Sequence, residues 1–255
     1  MISSQIEVKE IAFLYPNGHR ALNRISFNVD ANEALGIIGP NGAGKSTLLQ
    51  ILIGILPVQE GEILIDGMIL DKKNLPSIRK KTGLLFQNPD DQLFCPTVRD
   101  DVSFGPVNMG LEAEEIEATV NKAMETARIS HLAERPPYTL SGGEKKAVAL
   151  ASILSMEPEI LLMDETSANL DPRSRSNLVR IINTLPQSKI IVSHDLDFIW
   201  DTCTRVIILN NGTITSQGKT EEILSDRALL EKNELLLPLR LQGCPLCGES
   251  LSIGR

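Results

Sequence analysis

The segment Gly39–Ser46 constrains this chain more than any other, because it reads G-x-x-x-x-G-K-S in full. The apolar stretch Ala34–Ile38 before it predicts a strand, and Lys45–Ile53 after it predicts a helix that ends at Gly54. A glycine-rich turn between a strand and a helix directs backbone N–H groups toward phosphate oxygens, and the helix N-terminus adds positive potential. The sequence therefore predicts an α/β phosphate-binding core built on a parallel sheet.

Each residue type in this loop has a predicted task. Lys45 would neutralise the β- and γ-phosphates, and the Ser46 hydroxyl would ligate magnesium. The other predicted contacts to the nucleotide are made by Gly39, Asn41, Gly42, Gly44 and Thr47. The alternative is a glycine turn that precedes a helix by chance, and the strand–turn–helix context disfavours it.

A second apolar stretch, Ile160–Met163, ends in two acids, Asp164 and Glu165. Such a strand delivers carboxylates to the carboxyl edge of a sheet, where ligands bind in this class of fold. Asp164 is predicted to hold the magnesium shell, and Glu165 to orient or deprotonate the attacking water. Taken alone, the pattern also fits an ordinary strand followed by an acidic helix cap. The phosphate loop favours the catalytic interpretation.

The composition excludes several classes of protein. The chain has 25 Lys and Arg against 33 Asp and Glu, and a formal charge of -8 disfavours broad binding to nucleic acid. No apolar run approaches the roughly 20 residues that cross a bilayer, and Met1–Glu10 lacks the order of a signal peptide. We therefore expect a cytosolic chain whose four cysteines stay reduced.

The middle of the chain differs from its flanks. Between residues 89 and 156 apolar side chains recur at helical spacing, with glutamates on the opposite face, which predicts a helical insertion. Short β-like stretches in the first third predict an antiparallel β subdomain, and Asn210-Asn211-Gly212 predicts a hairpin turn. We expect one ATPase domain over residues 1–230 and a tail over 231–255.

The pentad Leu140-Ser141-Gly142-Gly143-Glu144 precedes another helical pattern. It resembles the signature of ATP-binding cassette (ABC) proteins, whose order of motifs is found along most of this chain. A lone S-G-G is more often a flexible turn, so order and context carry the resemblance. A serine hydroxyl and glycine amides at a helix start form a second γ-phosphate receptor. The resemblance implies that Ser141, Gly142 and Gly143 face the ATP of a second ATPase subunit, identical or related.

The resemblance also implies roles for four other residues. Gln87 would sense the γ-phosphate, join the magnesium site and contact integral membrane transport subunits. Tyr15 would stack on adenine, His194 would contact the γ-phosphate and Glu165, and Asp171 would couple the two sites of a dimer. Three of them have simpler alternatives: Tyr15 as a surface turn residue, Gln87 as a polar loop residue, and His194 as a capping or packing histidine.

The stretches Phe86–Phe94 and Phe104–Pro106 resemble the ATPases of energy-coupling-factor importers of the cobalt, nickel and vitamin type. This resemblance predicts an ATP- and Mg²⁺-dependent ATPase, peripheral to the cytoplasmic face of the membrane, that powers import of a metal ion or vitamin through a separate membrane protein. The alternative is a non-transport cassette ATPase of DNA repair or translation, but neither a long coiled-coil insertion nor a second cassette is present. A regulatory nucleotide-binding module is disfavoured by Glu165 and His194.

Two departures from the family pattern and the tail leave questions open. Thr166 stands where the family usually has Pro, and Ala147 occupies a position that is often Arg. Neither removes a chemical group, but both are expected to affect dimer contacts or turnover. Cys244 and Cys247 have the spacing of half a zinc knuckle. The alternative is that they are two free thiols. The leucines between residues 235 and 241 are expected either to dock a partner subunit or to pack on their own domain.

Overall fold

A computed structural model describes residues 4–242. The strands are β1 (Ser4–Leu14), β2 (Arg20–Asp30), β3 (Ala34–Ile38), β4 (Glu60–Ile65), β5 (Met68–Ile69), β6 (Thr82–Leu85), β7 (Ile160–Asp164), β8 (Ser188–Val192), β9 (Arg205–Asn210) and β10 (Thr213–Lys219). The α-helices are α1 (Lys45–Leu52), α2 (Leu75–Lys81), α3 (Val98–Asn108), α4 (Ala113–Thr126), α5 (Gly142–Leu154), α6 (Pro172–Thr184), α7 (Leu196–Thr202), α8 (Thr220–Ser225) and α9 (Arg227–Lys232). The described residues form two compact units: a first unit of residues 4–75 and 188–242, and a second unit of residues 76–187.

The first unit contains an antiparallel sheet in the order β2-β1-β4-β5. Along β2 the side chains alternate between exposed and buried, as expected for a sheet with one solvated face. The long β1 pairs with β2 on one side and with β4 on the other. This sheet is the antiparallel β subdomain that the first third of the sequence predicts.

The first unit also contains a group of strands around β3. This strand pairs in parallel with β8 and β9, and β9 turns back into β10 as an antiparallel hairpin. All five residues of β3 and of β8 are buried, which is typical of parallel strands covered on both faces. At the hairpin Asn211 and Gly212 have φ of 48° and 72°, the left-handed conformations that a tight two-residue turn needs.

The second unit combines a parallel strand pair with helices. β6 pairs with β7 so that Leu85 lies opposite Met163. The helices α3, α4 and α5 pack on one another, and α5 also packs on β6 and α6. The interior face of α5 includes Val148, Leu150 and Ala151, which are fully buried. Residues 89–156 lie inside this unit and are mainly helical, as their spacing predicts.

Candidate functional site

The phosphate loop of the first unit lies between β3 and α1, where the motif requires it. Gly39 and Gly44 have φ of 154° and 103°, and a Cβ atom at either would lie 1.9 Å or 2.4 Å from a main-chain carbonyl oxygen. Only glycine fits these two positions, because a side chain would collide with the neighbouring backbone. At Gly42 a Cβ would meet nothing within 4 Å, so this residue faces open space.

The helix behind the loop has an N-terminus that is suited to anions. Gly44 caps α1 without any side-chain hydrogen bond, and the N-terminus of a helix attracts phosphate oxygens. Lys45 is 7% exposed, and its Nζ donates to the carbonyl oxygens of Gly39 and Pro40 at 2.8 Å and 3.0 Å. The ammonium is therefore fixed over the loop, where it adds positive charge to the amides. Ser46 is exposed beside it.

Tyr15 is held next to the same helix. Its hydroxyl lies 3.1 Å from Thr47 Oγ1, and the edge of its ring meets Phe13 at 5.0 Å between centroids. His19 lies nearly parallel to the Tyr15 ring, 6.3 Å away at 17°. A fixed aromatic ring in the phosphate-binding unit fits the predicted stacking on adenine. The neighbouring His19 was not expected from sequence, because nothing in a turn histidine marks it as a stacking partner.

His194 belongs to the first unit too. It follows β8, and because Val192 pairs with Ile37 of β3, His194 and the phosphate loop leave the carboxyl ends of two neighbouring parallel strands. The main-chain N–H of Ser193 donates to Ile37 O at 3.4 Å, which continues this pairing to the residue before His194. The imidazole is exposed at this edge. Tyr15, the phosphate loop and His194 therefore belong to one unit.

The acidic pair lies in the second unit, at the end of β7. Asp164 and Glu165 are half-buried, and Glu165 has φ of 47°, which is uncommon for a residue with a side chain. Such backbone strain is concentrated at functional sites. Because β6 and β7 are parallel and in register at Leu85 and Met163, Gln87 leaves the same edge as the acidic pair.

Lys146 lies at this edge as well, and sequence reasoning did not identify it. Its side chain leaves α5, is 3% exposed, and donates through Nζ to the carbonyl oxygen of Gln87. Burial lowers the pKa of the Lys146 ammonium to about 8, against the opposing attraction of Asp164 and Glu165. A buried ammonium with a shifted pKa beside two carboxylates is typical of functional sites.

The signature begins α5 with a reciprocal cap. Ser141 accepts the amide of Glu144 at 3.3 Å, while its own amide and hydroxyl each donate to Glu144 Oε2 at 2.8 Å. The hydrogen bond from the main-chain N–H of Ser141 makes the largest contribution to the lowered pKa of the Glu144 carboxyl. The Ser141 proton therefore points to Glu144 and has to turn away before it can reach a phosphate.

Asp171 caps the next helix, α6. It accepts the amides of Arg173 and Ser174 at 2.9 Å and 3.1 Å, and the Ser174 hydroxyl at 2.5 Å. The Ser174 hydroxyl and then its amide lower the pKa of the Asp171 carboxyl. These contacts are those of a helix cap, and the predicted coupling role across a dimer stays a prediction.

The two departures occupy distinct environments in the second unit. Thr166 is 0% exposed, and within residues 4–242 its hydroxyl has no hydrogen-bond partner. Ala147 lines a cavity of about 370 Å³ together with Arg128 and His131. The buried Thr166 hydroxyl therefore carries a desolvation cost, whereas Ala147 lies beside an open volume next to the signature helix.

The tail is fixed to the first unit at Arg240. Its guanidinium donates to Asp197 at 2.8 Å and to Asp201 at 2.6 Å, and it lies 5.4 Å from the ring centroid of Trp200. Leu236 and Leu239 are exposed, whereas the other three leucines of this stretch are half-buried, and docking of a partner by this stretch stays a prediction. Cys244 and Cys247 lie outside the described residues.

The residues present fit a nucleotide with magnesium. In the first unit the start of α1 and the ammonium of Lys45 suit phosphates, and Ser46 offers an oxygen ligand of the kind that Mg²⁺ prefers. In the second unit Asp164 offers another oxygen ligand of this kind. Within residues 4–242 no group of three or more His, Cys, Asp or Glu gathers as an all-protein metal site.

Comparisons with known proteins agree with one another. The ABC transporter family profile matches residues 22–168. A putative ABC transporter ATP-binding protein of Geobacter sulfurreducens is 44% identical over 95% of this chain and 98% of its own. The energy-coupling factor transporter ATP-binding protein EcfA of Methanothermobacter thermautotrophicus is 45% identical over 91% of this chain and 76% of its own.

Solved structures give the same result. The structure of cbiO1 from Clostridium perfringens, described as part of the ABC transporter complex cbiONQ, superposes with a TM-score of 0.83 and 37% identity, over 90% of this chain and 94% of that one. The cassette MJ0796 was solved as a dimer in a post-hydrolysis state bound to ADP and Pi. It gives a TM-score of 0.74 at 27% identity, over 84% of this chain and 98% of that one.

A phosphate loop between a strand and a helix, together with a strand that ends in two acids, defines a P-loop nucleoside triphosphatase. The chain belongs to the ABC transporter family and is an ATP-binding subunit of that family. It is an ATPase whose hydrolysis is coupled to transport, and the predicted α/β P-loop fold class is confirmed. No helix among residues 4–242 has the length and apolar character needed to cross a membrane.

Proposed function

We propose that this chain is the ATP-hydrolysing subunit of an importer of the energy-coupling-factor type, which takes up a metal ion such as cobalt or nickel, or a vitamin. The relatives named EcfA and the cbiO1 structure support this subfamily. In the cell the subunit lies on the cytoplasmic face of the membrane, bound to integral membrane transport subunits.

The observation that carries this proposal is an exposed aromatic pair next to the glutamine loop. Phe94 is 66% exposed and Phe104 is 49% exposed, and their rings meet edge to face at 4.8 Å. Val107 adds a further apolar side chain at 56% exposure. Exposed apolar side chains clustered in one place mark an interaction site. A helix of a membrane subunit that inserts its apolar face here fits the helix-in-groove mode of recognition.

Each predicted site residue has a proposed role in ATP binding or hydrolysis. Lys45 and the loop amides bind the phosphates, and Ser46, Gln87 and Asp164 hold Mg²⁺, which supplies charge neutralisation on the phosphates. Glu165 accepts the proton of the attacking water, and His194 contacts the γ-phosphate. Tyr15 stacks on adenine, and the amides of Gly142 and Gly143 in a second copy or a related chain complete the receptor.

Transport follows from differential affinity. ATP binds the closed dimer better than the open one, because only the closed dimer offers both the phosphate loop and the Ser141 receptor of its neighbour. Hydrolysis removes the bridging γ-phosphate and lets the subunits separate. The opening and closing of the dimer then moves the membrane subunit that is docked at Phe94 and Phe104.

The test is purification of the tagged full-length chain from detergent-solubilised native membranes, beside a Phe94→Ser/Phe104→Ser variant. We expect integral membrane proteins to co-purify with the wild-type chain and to be lost from the variant, while both chains keep ATP binding. Recovery of ribosomes or nucleic acid in place of a membrane protein would instead support the non-transport alternative. The cargo bound to the isolated complex identifies the transported substrate.

A further inference from the structure

Lys146 is a buried lysine that the established activity does not use. It lies one turn into α5, directly after the signature, and is only 3% exposed. Removing an ammonium group from water costs several kcal/mol unless hydrogen bonds and opposite charges replace the lost solvation. The partners of Lys146 therefore indicate why a charge is kept at this position.

The first partner is the main chain of the glutamine loop. Lys146 Nζ donates to the carbonyl oxygen of Gln87, 59 residues earlier in the sequence. The contact fixes the backbone of Gln87 and leaves its side chain exposed. The position of that side chain therefore depends on a lysine of the signature helix.

The second set of partners is the acidic end of β7. The charges of Asp164 and Glu165 favour the ammonium form of Lys146 against its burial. Because β6 and β7 are in register, Gln87 and the acidic pair share the same edge of the strand pair. Lys146 thus joins the glutamine loop to the edge that carries the proposed base.

The neighbouring lysine makes a useful contrast. Lys145 also reaches the segment after Gln87, where its Nζ lies 2.6 Å from the carboxylate of Asp90. The Asp90 side chain is 62% exposed, and ion pairs of this kind contribute about 0–1 kcal/mol. Of these two lysines, only Lys146 is buried beside the acidic pair.

We propose that Lys146 is a positioning residue for ATP hydrolysis, whose ammonium holds the main chain of Gln87 at the edge that carries Asp164 and Glu165. Gln87 is thereby placed for the γ-phosphate. The inference rests on the proposed role of Gln87. If Lys146 only filled space, an apolar side chain of similar length would replace it without loss, as is often found for buried ionic groups.

The test compares Lys146→Met and Lys146→Arg in the full-length chain, with Lys122→Met as the control. Lys122 lies in the same unit and pairs with Glu157 on the surface. We expect Lys146→Met to lower kcat by about 10-fold or more with KM for ATP within about 2-fold, because misplacement of a distant group acts on the chemical step. Lys146→Arg should restore part of kcat, and Lys122→Met should leave it unchanged.

A double-variant cycle with Gln87→Ala separates the possible outcomes. If Lys146 acts through Gln87, Lys146→Met costs little further kcat once the Gln87 side chain is gone. A normal kcat in Lys146→Met, or an equal loss of kcat with and without Gln87, overturns the inference. A normal kcat in Gln87→Ala alone overturns the proposed role of Gln87 and this inference with it. If Lys146→Met does not fold, Lys146→Gln replaces it, since glutamine keeps a donor and removes the charge.

Discussion

Gly143 lies so close to Ser174 that a Cβ atom at position 143 would fall 2.2 Å from the Ser174 hydroxyl oxygen. At the adjacent Gly142 the same atom would meet nothing within 4 Å. The two glycines of the signature therefore have different reasons to be glycine. One lets α5 and α6 approach, and the other leaves a helix start uncovered.

We expect Gly142→Ala to keep the free energy of unfolding, because alanine is at least as favourable as glycine in a helix. The ATPase rate should fall by about 10-fold or more, because the methyl group occupies the approach to the proposed phosphate receptor. Gly143→Ala should instead lower the free energy of unfolding by about 1–3 kcal/mol through overpacking. Urea unfolding and ATPase assays on both variants check this, and Gly143→Ala/Ser174→Gly should regain part of the stability.

Glu165→Gln should bind ATP, form an ATP-dependent dimer and lose about 100-fold or more in kcat, because the amide does not accept a proton. Size-exclusion chromatography with and without ATP, together with phosphate release, measures both effects. The control is Glu159→Gln. Glu159 is an exposed acid just before the same strand, and its carboxylate pairs with Lys81 at 2.9 Å. Normal turnover by Glu165→Gln would show that another group is the base.

Tyr15→Ala should weaken ATP binding by about 10-fold, since stacking of a base on an aromatic ring contributes about 1–3 kcal/mol. Binding of tripolyphosphate, which has no base, should not change. Isothermal titration with both ligands makes this comparison. Tyr138→Ala, which removes a tyrosine that is 82% exposed, is the control and should affect neither ligand.

Thr166→Val should raise the free energy of unfolding by about 1 kcal/mol, because it replaces a buried hydroxyl that lacks a partner in the described residues with a methyl group of similar shape. Thr202→Val is the matched control. The Thr202 hydroxyl is also buried but donates to Phe198 O at 2.7 Å, so its loss should lower stability by about 1 kcal/mol. Equal effects in the two variants would contradict the assignment.

Glu144→Gln tests the pH dependence of the cap. The pKa of the Glu144 carboxyl is lowered in the folded chain, so its stabilising effect is present above the unfolded pKa and is lost as pH falls through the folded one. The advantage of wild type over Glu144→Gln should therefore be largest at neutral pH and disappear in acid. Urea unfolding between pH 7 and pH 3 measures it, and a constant difference would contradict the prediction.

The phosphate loop and the acidic strand were predictable from sequence because each is a local pattern. The loop begins after β3 and the helix starts at Lys45, as expected, although it ends at Leu52 rather than Ile53. Short elements such as α2 and β6 were missed, since neither has enough residues to show a period.

The contacts around the acidic pair were not predictable. Lys146 meets Gln87 because α5 packs on β6, the strand that leads to Gln87, and no local pattern encodes this packing. The left-handed backbone of Glu165 is likewise set by the fold, because glutamate has no intrinsic preference for it. The roles of the predicted site residues stay predictions that the variants above test.

The reciprocal bonds between Ser141 and Glu144 are complete within one polypeptide. In the proposed dimer this helix start is capped before a neighbouring subunit arrives, so the Ser141 hydroxyl has to turn but the backbone loses little conformational entropy. The speed of dimer closure should therefore depend on diffusion and orientation and not on local folding. In the proposed cycle the same helix start would be capped again after each release, so repeated cycling would not require this part of the chain to refold.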